Sequence, residues 1–583
     1  MKKGLLFSVA LAGLMLGSCS SSDDLNGGGT GKFGADGQGF VNVTLNLPTQ
    51  PQSTSRAIND EFDHGDAAEY NVKDATLILF AGADEATAKI KAAYNLSGWK
   101  KDLTPSAQIS TTLSKVQKIN VISALPTDKI YAFVVLNHND ALKVTSTNTL
   151  QVNGVEFTGT FADLSNENIS KSLTKDNLMM SNAVIISKSG SADFSSEKAT
   201  TLTDVTDKIY ATESEATTHS AADIYVERLA AKVTLAKATG TSTNTVSVGT
   251  ATAKTFSYSL EGWRLANVNT SSYLTRQYDN TWNSYMSNAA DFTTTSHVDY
   301  DNNSYRFAGI SAIATGKGYR TYWGKDANYD SEASFSDGTN EPNLLGDEST
   351  YCYENTFNVA HQNVKETTCA IVKMKITPNG YSDGTFFTID DNKGVVYPIA
   401  EVKKKIGKRF LAEIGATNVK ANYYPGTTAT INVKDVEFAD AAGVVTITKM
   451  TLTDGAHDKD VTAADLATFK PTIKVNEFKD GFAYYTILIK HFGDELTPWN
   501  PSNKATESYP GTDNEKNWLG RYGVLRNNWY KLEVTGVAAI GASTPGELNV
   551  NHDTTPDDNL KRYISCKINA LSWAVRKQET ILQ

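Results

Sequence analysis

The 583-residue sequence has little cysteine and little histidine, with four and eight residues. Four cysteines (Cys19, Cys352, Cys369 and Cys566) are too few for a disulfide framework, and no CxxC pair is present for zinc or redox chemistry. A bond between Cys352 and Cys369 stays open, the alternative being that both pack as small apolar side chains, as Cys566 is expected to do. The histidines form no HxH or HxxxH pair, so no metal site is predicted.

The motifs of common enzyme classes are also missing. Gly309–Ile313 begins like a GxSxG nucleophile elbow but ends in isoleucine, and no Walker or Rossmann glycine pattern occurs. Asp299–Asn303 resembles the start of a calcium loop, yet it lacks the glycine at the sixth position and the glutamate at the twelfth. The sequence therefore predicts a protein that is not an enzyme, with no catalytic residue and no cofactor.

Basic residues are fewer than acidic ones: the chain has 55 Lys and Arg and 65 Asp and Glu, which gives a net charge of −10. Such a balance disfavours nucleic acid and anionic membranes as partners. Glycine (41) and proline (14) are too scarce for a fibrous sequence, and 40% hydrophobic residues are typical of a folded globular chain. The chain is long enough for several domains.

The first residues resemble an export signal. Residues 1–18 combine a basic start with an apolar run, Leu5–Leu16, that is too short to span a bilayer. Leu16–Cys19 resembles a bacterial lipobox, so we predict a signal peptide followed by a lipidated Cys19; an ordinary secretory signal is the alternative. Ser20–Asp24 resembles a surface-export signal of bacterial lipoproteins, or is a plain flexible tether.

A single strand is predicted between this tether and a polar loop. Its apolar residues alternate with polar ones and the strand ends at Pro48; they are Val41, Val43, Leu45 and Leu47. The loop Thr49–Ile58 has no periodicity, and Arg56 is its only basic residue. Cleavage between Arg56 and Ala57 would therefore remove residues 19–56 as a propeptide that carries a leader strand.

The rest of the chain reads as mainly β, with helices only in short pieces such as Asp84–Ala93 and Ala400–Gly415. A sandwich is the economical architecture for such a chain. We place an N-terminal domain at 57–222 and a C-terminal domain at 223–559, before the strand predicted over Ile224–Leu235. Asn267–Glu348, which is polar and aperiodic, is predicted to be a surface insertion.

The C-terminal tail, 560–583, is predicted to contain a strand with apolar residues at Ile564, Cys566, Ile568 and Ala570. The apolar phase then slips by one residue, which predicts a bulge or a break between two strands. Such a tail is either the last strand of its own domain or a donor strand that completes a neighbouring subunit. The candidate donor residues are Leu571, Trp573, Val575, Ile581 and Leu582.

Several segments, taken in order along nearly the whole chain, resemble the fimbrilins, the subunits of type V pili in Bacteroidia, and among them the Mfa-like group of minor-fimbria major subunits. These segments are Ala75–Phe80, Met179–Ser181, Glu227–Val233, Glu354–Thr356 and Arg526–Leu532. The resemblance implies two transthyretin-like β-sandwich domains with long loop insertions, export as a lipoprotein and Arg-directed maturation. It also implies adhesion to host cells or other bacteria.

We therefore predict the structural shaft subunit of an adhesive surface pilus, made as an outer-membrane lipoprotein precursor and polymerised by donor-strand exchange. Its partners would be identical subunits joined head to tail, tip and anchor subunits, an Arg-specific protease, and host or bacterial receptors. The alternatives are a surface-anchored glycan-binding lipoprotein, and a tip or accessory adhesin of the pilus. A secreted β-sandwich enzyme would need a convergent polar site, which the motifs do not supply.

Overall fold

The structure is a computed structural model, and it describes most of the chain from residue 32 onward. The described residues are 32–34, 36–47, 66–98, 100–102, 112–120, 122, 127–186, 198–283, 307–312, 319–321, 323–331, 335, 340–441, 444–469, 473–492, 497, 518–559 and 564–572.

Strands dominate these residues. The first sixteen are β1 Gln38–Asn46, β2 Ala75–Gly82, β3 Lys89–Asn95, β4 Lys100–Asp102, β5 Thr112–Asn120, β6 Lys129–Leu136, β7 Leu142–Val144, β8 Leu150–Val152, β9 Val155–Phe157, β10 Asn168–Ile169, β11 Met180–Asn182, β12 Ile185–Ile186, β13 Ala199–Thr200, β14 Thr203–Asp204, β15 Ile209–Tyr210 and β16 Ala222–Arg228. The others are β17 Ala230–Leu235, β18 Thr239–Val248, β19 Lys254–Ala266, β20 Ser272–Tyr273, β21 Ala308–Ala312, β22 Tyr319–Thr321, β23 Ser349–Tyr353, β24 Cys369–Pro378, β25 Phe386–Ile389, β26 Val395–Val396, β27 Asn432–Ala441, β28 Val444–Thr453, β29 Asp458–Asp460, β30 Val475–Phe478, β31 Phe482–Leu488, β32 Asn528–Val537 and β33 Ile564–Ser572.

Helices are few among the described residues. The α-helices of the described residues are α1 Phe161–Ser165, α2 Glu213–Thr218, α3 Ile399–Ile414, α4 Ala416–Tyr423 and α5 Ala463–Phe469. α1 and α2 each begin with a capping box, in which Thr160 or Thr212 accepts a hydrogen bond from the backbone of the third helical residue and its own backbone is bonded in return. The predicted fold class, mainly β with a few short helices, is confirmed.

The first sheet has the strand order β3-β2-β6-β11-β16-β1-β5-β4, with β14 beside β6 and β15 beside β1. β2 is buried along its whole length, because apolar clusters cover both faces of the sheet there. One cluster contains Leu77, Val134 and Val43, and the other contains Ile78, Phe133 and Leu164 of α1. This explains why the sequence of β2 (ATLILFAG) shows no alternation.

Two further sheets share a second core. Their orders are β23-β17-β32-β33 and β26-β18-β19-β24-β31. Side chains from both sheets, such as Val233, Tyr530 and Met374, belong to one buried cluster. This is the arrangement of a β-sandwich, in which each sheet turns one apolar face inward.

An additional unit of helices and strands interrupts this sandwich. β24 pairs directly with β31, and the chain between them forms the sheet β25-β30-β28-β27, with β29 beside β28, together with α3, α4 and α5. Its core is separate from the sandwich core and includes Val402, Phe410, Met450 and Phe469. The sequence predicted three elements of this unit, and all three are confirmed. The helix predicted at 400–415 is α3, and the strands predicted at 429–438 and 444–452 are β27 and β28.

The predicted helix Asp84–Ala93 is wrong. Gly82 approaches the Ala88 backbone so closely that a Cβ would come within 2.6 Å of its Cα. The chain turns there and returns as β3, antiparallel to β2. The run Lys89–Asn95 then alternates exposed and partly buried residues at its start, as an edge strand does.

The predicted single strand Ile224–Leu235 is two strands in different sheets. β16 pairs with β1 and β11 of the first sheet, whereas β17 pairs with β23 and β32 of the sandwich. The change of sheet occurs at Leu229, so the boundary predicted at 222/223 falls one strand too early. The reason is that Leu229 alone separates the two strands and no Gly or Pro marks the change, so the sequence contains no break signal.

The predicted surface insertion Asn267–Glu348 is wrong for much of its described part, although residues 340–348 are mostly exposed. Trp282, Phe307 and Trp323 are almost fully buried and belong to a cluster with Phe492 and Leu525. Buried aromatic side chains spaced irregularly along a polar sequence give no periodicity, which is why the pattern suggested a loop.

Candidate assembly site

The predicted leader strand, β1, lies inside the first sheet between β16 and β5. It runs parallel to β16, with Val43 opposite Ala222 and Asn46 opposite Tyr225. On its other side it runs antiparallel to β5, and the pairing extends over the full nine residues of each strand. Among the described residues, β5 pairs with β1 and β4 alone, so β1 is the connection of these two strands to the rest of the sheet.

Every second side chain of this segment points into the core. Val41 and Val43 are 0% exposed, and Leu45 and Leu47 are each 1% exposed. At about 1.5–3 kcal/mol for each buried aliphatic side chain, the four contribute roughly 6–12 kcal/mol. That is comparable with the total stability of an ordinary domain, about 5–15 kcal/mol. The first sheet therefore depends on residues that precede the predicted cleavage site.

The residues before β1 add a second attachment. Phe33 is buried against Gly39, where any Cβ would come within 2.7 Å of the phenyl ring. Lys32 is buried as well, and its ammonium group donates to the carbonyl of Thr206 and lies 3.1 Å from Asp207 Oδ1. The described part of the predicted propeptide is thus packed at Lys32 and Phe33 and again along β1.

The cleavage and lipidation residues lie outside the described residues. Arg56 and Ala57 fall between Leu47 and Asp66, and Cys19 precedes Lys32. Their assignments stay predictions.

The first part of the C-terminal tail is a strand of its own chain. β33 pairs antiparallel with β32 at the edge of the sandwich sheet, with Leu571 opposite Trp529, and Ile564 and Cys566 are buried in the sandwich core. The tail predicted to begin at residue 560 therefore includes a strand that packs on its own core. The other candidate donor residues, Trp573, Val575, Ile581 and Leu582, lie outside the described residues.

The phase slip predicted a bulge or a break after Ala570, and this is wrong. The pairing continues without a shift from Tyr530–Ala570 to Trp529–Leu571. The irregularity lies instead in the partner strand, between Val534 and Gly536. An edge strand has one neighbour, so a change in its apolar phase does not require a change in its backbone pairing.

A buried ionic cluster holds the chain just before β33. The carboxylate of Asp558 is bonded by Arg521 and by the hydroxyl of Tyr522, and Lys490 Nζ lies 3.7 Å from Oδ1. Burial alone would raise the pKa of Asp558, but the positive charges of Arg521 and Lys490 outweigh it and hold the pKa below its usual range. The tail thus begins from a fixed point.

Three of the segments that suggested a family resemblance, Glu227–Val233, Glu354–Thr356 and Arg526–Leu532, meet in a second buried cluster, at the junction of the first sheet and the sandwich. Glu227 of β16 binds the guanidinium of Arg276 with two hydrogen bonds of 3.0 and 2.8 Å. Burial alone would lower the pKa of Arg276, but Glu227 raises it above its ordinary value. Arg276 also donates to the carbonyl of Arg526, at 3.3 Å.

Arg526 continues this cluster into the sandwich. Its side chain is fully buried and pairs with the equally buried Glu354, with Nε 2.9 Å from Oε1. Next to it, the Asn527 amide oxygen accepts from Arg228, and the Asn527 N–H donates to Ala230 at the strand change. The motif residues therefore fix the two sheet systems to each other.

Another buried ion pair joins Lys232 of β17 to Glu69. The ammonium group lies 2.7 Å from Glu69 Oε1 and 3.7 Å from the centre of the Trp529 ring. Tyr351 donates to the same carboxylate oxygen at 2.5 Å. The carboxylate and the aromatic ring together offset the free-energy cost of removing the Lys232 ammonium group from water.

Sequence reasoning missed the partners in these clusters, namely Glu69, Arg276, Asp326 and Asp558. Asp326 accepts hydrogen bonds from the backbone of Thr356 and Asn328, at 3.0 and 2.9 Å. Burial raises the pKa of Asp326 to about 7. All four residues lie in polar stretches of the sequence, and no local pattern distinguishes a buried carboxylate or guanidinium there from a solvated one.

Cys352 and Cys369 are buried and are not joined to each other, as the packing alternative predicts, and Cys566 is buried as well. Burial raises the pKa of Cys352 and of Cys369 to about 12. Over the described part of the chain, no group of three or more His, Cys, Asp or Glu residues is placed to hold a metal ion. No helix in that part has the length and apolar character needed to cross a membrane.

Residues 476–579 match the family model "Major fimbrial subunit protein type IV, Fimbrillin, C-terminal". The resemblance to the fimbrilins is confirmed. The fimbrillin match spans β31, β32 and β33, and it includes both Arg526 and Asp558.

Two solved fimbrial structures resemble the whole chain at low identity. A fimbrial assembly protein from Parabacteroides distasonis has 9% identity and a TM-score of 0.29, with 93% of this chain and 99% of that chain covered. The tip fimbrial protein Mfa3 from Porphyromonas gingivalis, with a C-terminal truncation, has 10% identity and a TM-score of 0.28, with 91% and 99% covered. Both TM-scores are below 0.5. Among curated proteins, no sequence matches this chain.

Proposed function

We propose that the chain is the shaft subunit of an adhesive surface pilus. It is exported as a lipoprotein through Cys19, cut between Arg56 and Ala57, and polymerised when the C-terminal tail of one subunit replaces the leader strand of another. The accessory tip and anchor subunits, the Arg-specific protease and the surface receptors predicted from the sequence belong to this proposal.

The position of β1 carries the proposal. β1 pairs on both sides, and its segment buries four apolar side chains. The chain from β1 to the next strand of the sheet passes through Arg56, so cleavage there would leave β1 held by non-covalent contacts alone. The loss of β1 would expose apolar surface and the unpaired edges of β16 and β5. Both favour the binding of another strand. An intact leader strand would keep this groove closed inside the cell.

The replacing strand has to meet the geometry of the groove. It must lie between β16 and β5 in the place of β1, where its backbone can form a ladder with each neighbour. Residues 573–583, eleven in number, are long enough to cover the nine residues of β1. β33 keeps its own place at the sandwich edge and would carry this segment outward.

The experiment uses the purified full-length protein and two proteases, one that cuts after arginine and one that cuts after arginine or lysine. We expect wild type to form filaments with either protease, Arg56→Ala with neither, and Arg56→Lys only with the second. The leader strand remains covalently attached in Arg56→Ala, so it competes for its groove at high effective concentration. Electron microscopy and the mass of the mature form are the readouts.

Filaments of normal length from Arg56→Ala would contradict the cleavage step. A surface form that still carries the leader strand and never polymerises would support the alternative, a surface-anchored glycan-binding lipoprotein.

A further inference from the structure

The helix α3 carries the most concentrated positive charge of its unit. Five of the seven residues from Lys403 to Arg409 are basic, in a protein whose net charge is −10. The opposite side of the helix is fixed, because Val402, Ile406 and Phe410 are fully buried in the core of the additional unit. The charges therefore sit on a rigid surface.

The first and last residues of this run, Lys403 and Arg409, form ion pairs within the protein. Lys403 Nζ lies 2.7 Å from Asp435 Oδ1. Arg409 pairs with Asp390 and, at 2.9 Å, with Glu413. Both residues lie between the buried and the exposed side of the helix, where acidic side chains are within reach.

The three remaining lysines, Lys404, Lys405 and Lys408, are exposed, and we call them the α3 lysine patch. Within the part of the chain that the structure describes, no carboxylate forms an ion pair with any of them. Glu401, one turn earlier, points elsewhere: its carboxylate lies against Gly249, where a Cβ would come within 2.5 Å of it.

The spacing of Lys404 and Lys408 does not stabilise the fold. Lys404 and Lys408 are four residues apart on one helix face, a spacing at which like charges destabilise a helix. They lie about 6 Å apart along the helix axis, given a rise of 1.5 Å per residue. A ligand that neutralises all three charges must carry several anionic groups at such intervals.

We infer that the α3 lysine patch binds a sulfated linear polysaccharide. Lysine is a hydrated point charge that suits dispersed sulfate and carboxylate groups, whereas bidentate phosphate recognition favours arginine. Single-stranded nucleic acid would in addition use exposed aromatic rings for stacking. The aromatic ring beside the patch, Tyr397, is half-buried and is covered by Lys405 Nζ at 4.8 Å from its centre. The inference rests on the proposed surface location, which brings α3 into contact with extracellular polysaccharide.

The test measures binding of the purified full-length protein to immobilised heparin as the sulfated probe, at several salt concentrations. We expect salt-sensitive binding, and the triple variant Lys404→Gln/Lys405→Gln/Lys408→Gln should weaken it roughly tenfold or more, because counterion release scales with the charges removed. The control is Lys143→Gln/Lys254→Gln/Lys375→Gln, which removes the same charge at exposed positions outside α3. Its affinity should stay within about twofold of wild type.

Three results would overturn the inference: no heparin binding, equal loss in both triple variants, or tighter binding to double-stranded DNA or to phosphatidylserine vesicles than to heparin. Filament formation after protease treatment is measured for the same proteins. We expect normal filaments from the patch variant, so failure of the polysaccharide site and failure of the pilus proposal give different results.

Discussion

Arg276 and Arg526 are among the most deeply buried side chains of the described chain, and each is matched by a glutamate. Removing such charges from water costs several kcal/mol per ion, which a well-formed pair roughly offsets. The net gain in stability is therefore small. The value of these pairs lies in specificity, because only one relative position of β16 and the sandwich brings Glu227 to Arg276 and Arg526 to Glu354.

This view of the junction can be tested with single and paired substitutions. We expect Arg276→Gln to lower the free energy of unfolding by about 3–5 kcal/mol, since it leaves the Glu227 charge buried without its cation. The double variant Glu227→Gln/Arg276→Gln should lose less than the sum of the two single variants. Urea unfolding of the purified protein measures all four species.

Additive losses would show that the pair has no coupling. Lys143→Gln, an exposed single-charge change, is the matched control and should stay within about 0.5 kcal/mol of wild type.

Among the strands, β1 and β33 have the same length and a similar apolar alternation, but they occupy different places. β1 has a partner on both sides, and β33 has one partner at a sheet edge. The alternation Ile564, Cys566, Ile568, Ala570 resembles that of Val41, Val43, Leu45 and Leu47. Two segments, β33 itself and residues 573–583, therefore compete as the source of the donated strand.

A chain that ends at Ser572 separates these sources. We expect it to fold with an unchanged midpoint of thermal unfolding, because β33 and its buried Ile564 and Cys566 remain. We also expect it to be cut normally and to form no filaments, since residues 573–583 are missing. Calorimetry and electron microscopy are the measurements.

Normal filaments from this truncated chain would assign the donor role to β33. Trp573→Ala in the full chain is the matched milder change, and it should shorten filaments without affecting the subunit's stability.

We expect the ionic cluster around Asp558 to hold the start of the C-terminal tail in place. Asp558→Asn should lower stability by about 3–5 kcal/mol, because Arg521 and Lys490 lose their counter-charge. Amide exchange should become faster in β33 and remain slow in β1. Asp383→Asn, at an exposed position, is the control.

The pH dependence of this effect follows from the sign of the pKa shift. The pKa of Asp558 is lower in the folded chain than in the unfolded one, so its contribution is present above about pH 4 and is lost as the pH falls further. The difference between wild type and Asp558→Asn should therefore shrink below about pH 4. A difference that stays constant with pH would contradict the charge-based account.

For the molecule as a whole, the sequence predicted those strands and helices whose apolar residues recur with a regular local spacing. β1 was evident from Val41 to Leu47 because its outward face is polar, and α3 was evident from its spacing. The division between sheets at Leu229 could not be predicted, since β16 and β17 are both buried. The contacts of Arg276 and Asp558 depend on residues more than 30 positions away, which no local pattern encodes.

The surface location of the whole protein is predicted to depend on one residue. Cys19→Ser should prevent delivery to the outer membrane surface, because lipidation at Cys19 is the predicted anchor of the precursor. Protease accessibility on intact cells is the measurement, and Ser18→Ala, which keeps the cysteine, is the control. Normal surface display of Cys19→Ser would contradict the lipoprotein prediction.

The separate places of β1 and of the tail have a consequence for any fibre built on them. The groove left by β1 lies between β16 and β5 of the first sheet, whereas the tail follows β33 at the edge of the sandwich, so a subunit that joins by its tail leaves its own groove for the next one. Every added subunit must then face the same way, and the two ends of the fibre differ chemically: one shows an open groove and the other a free tail. Elongation, capping and attachment to the cell are thus separate events at separate ends, each requiring a protein shaped for that end alone.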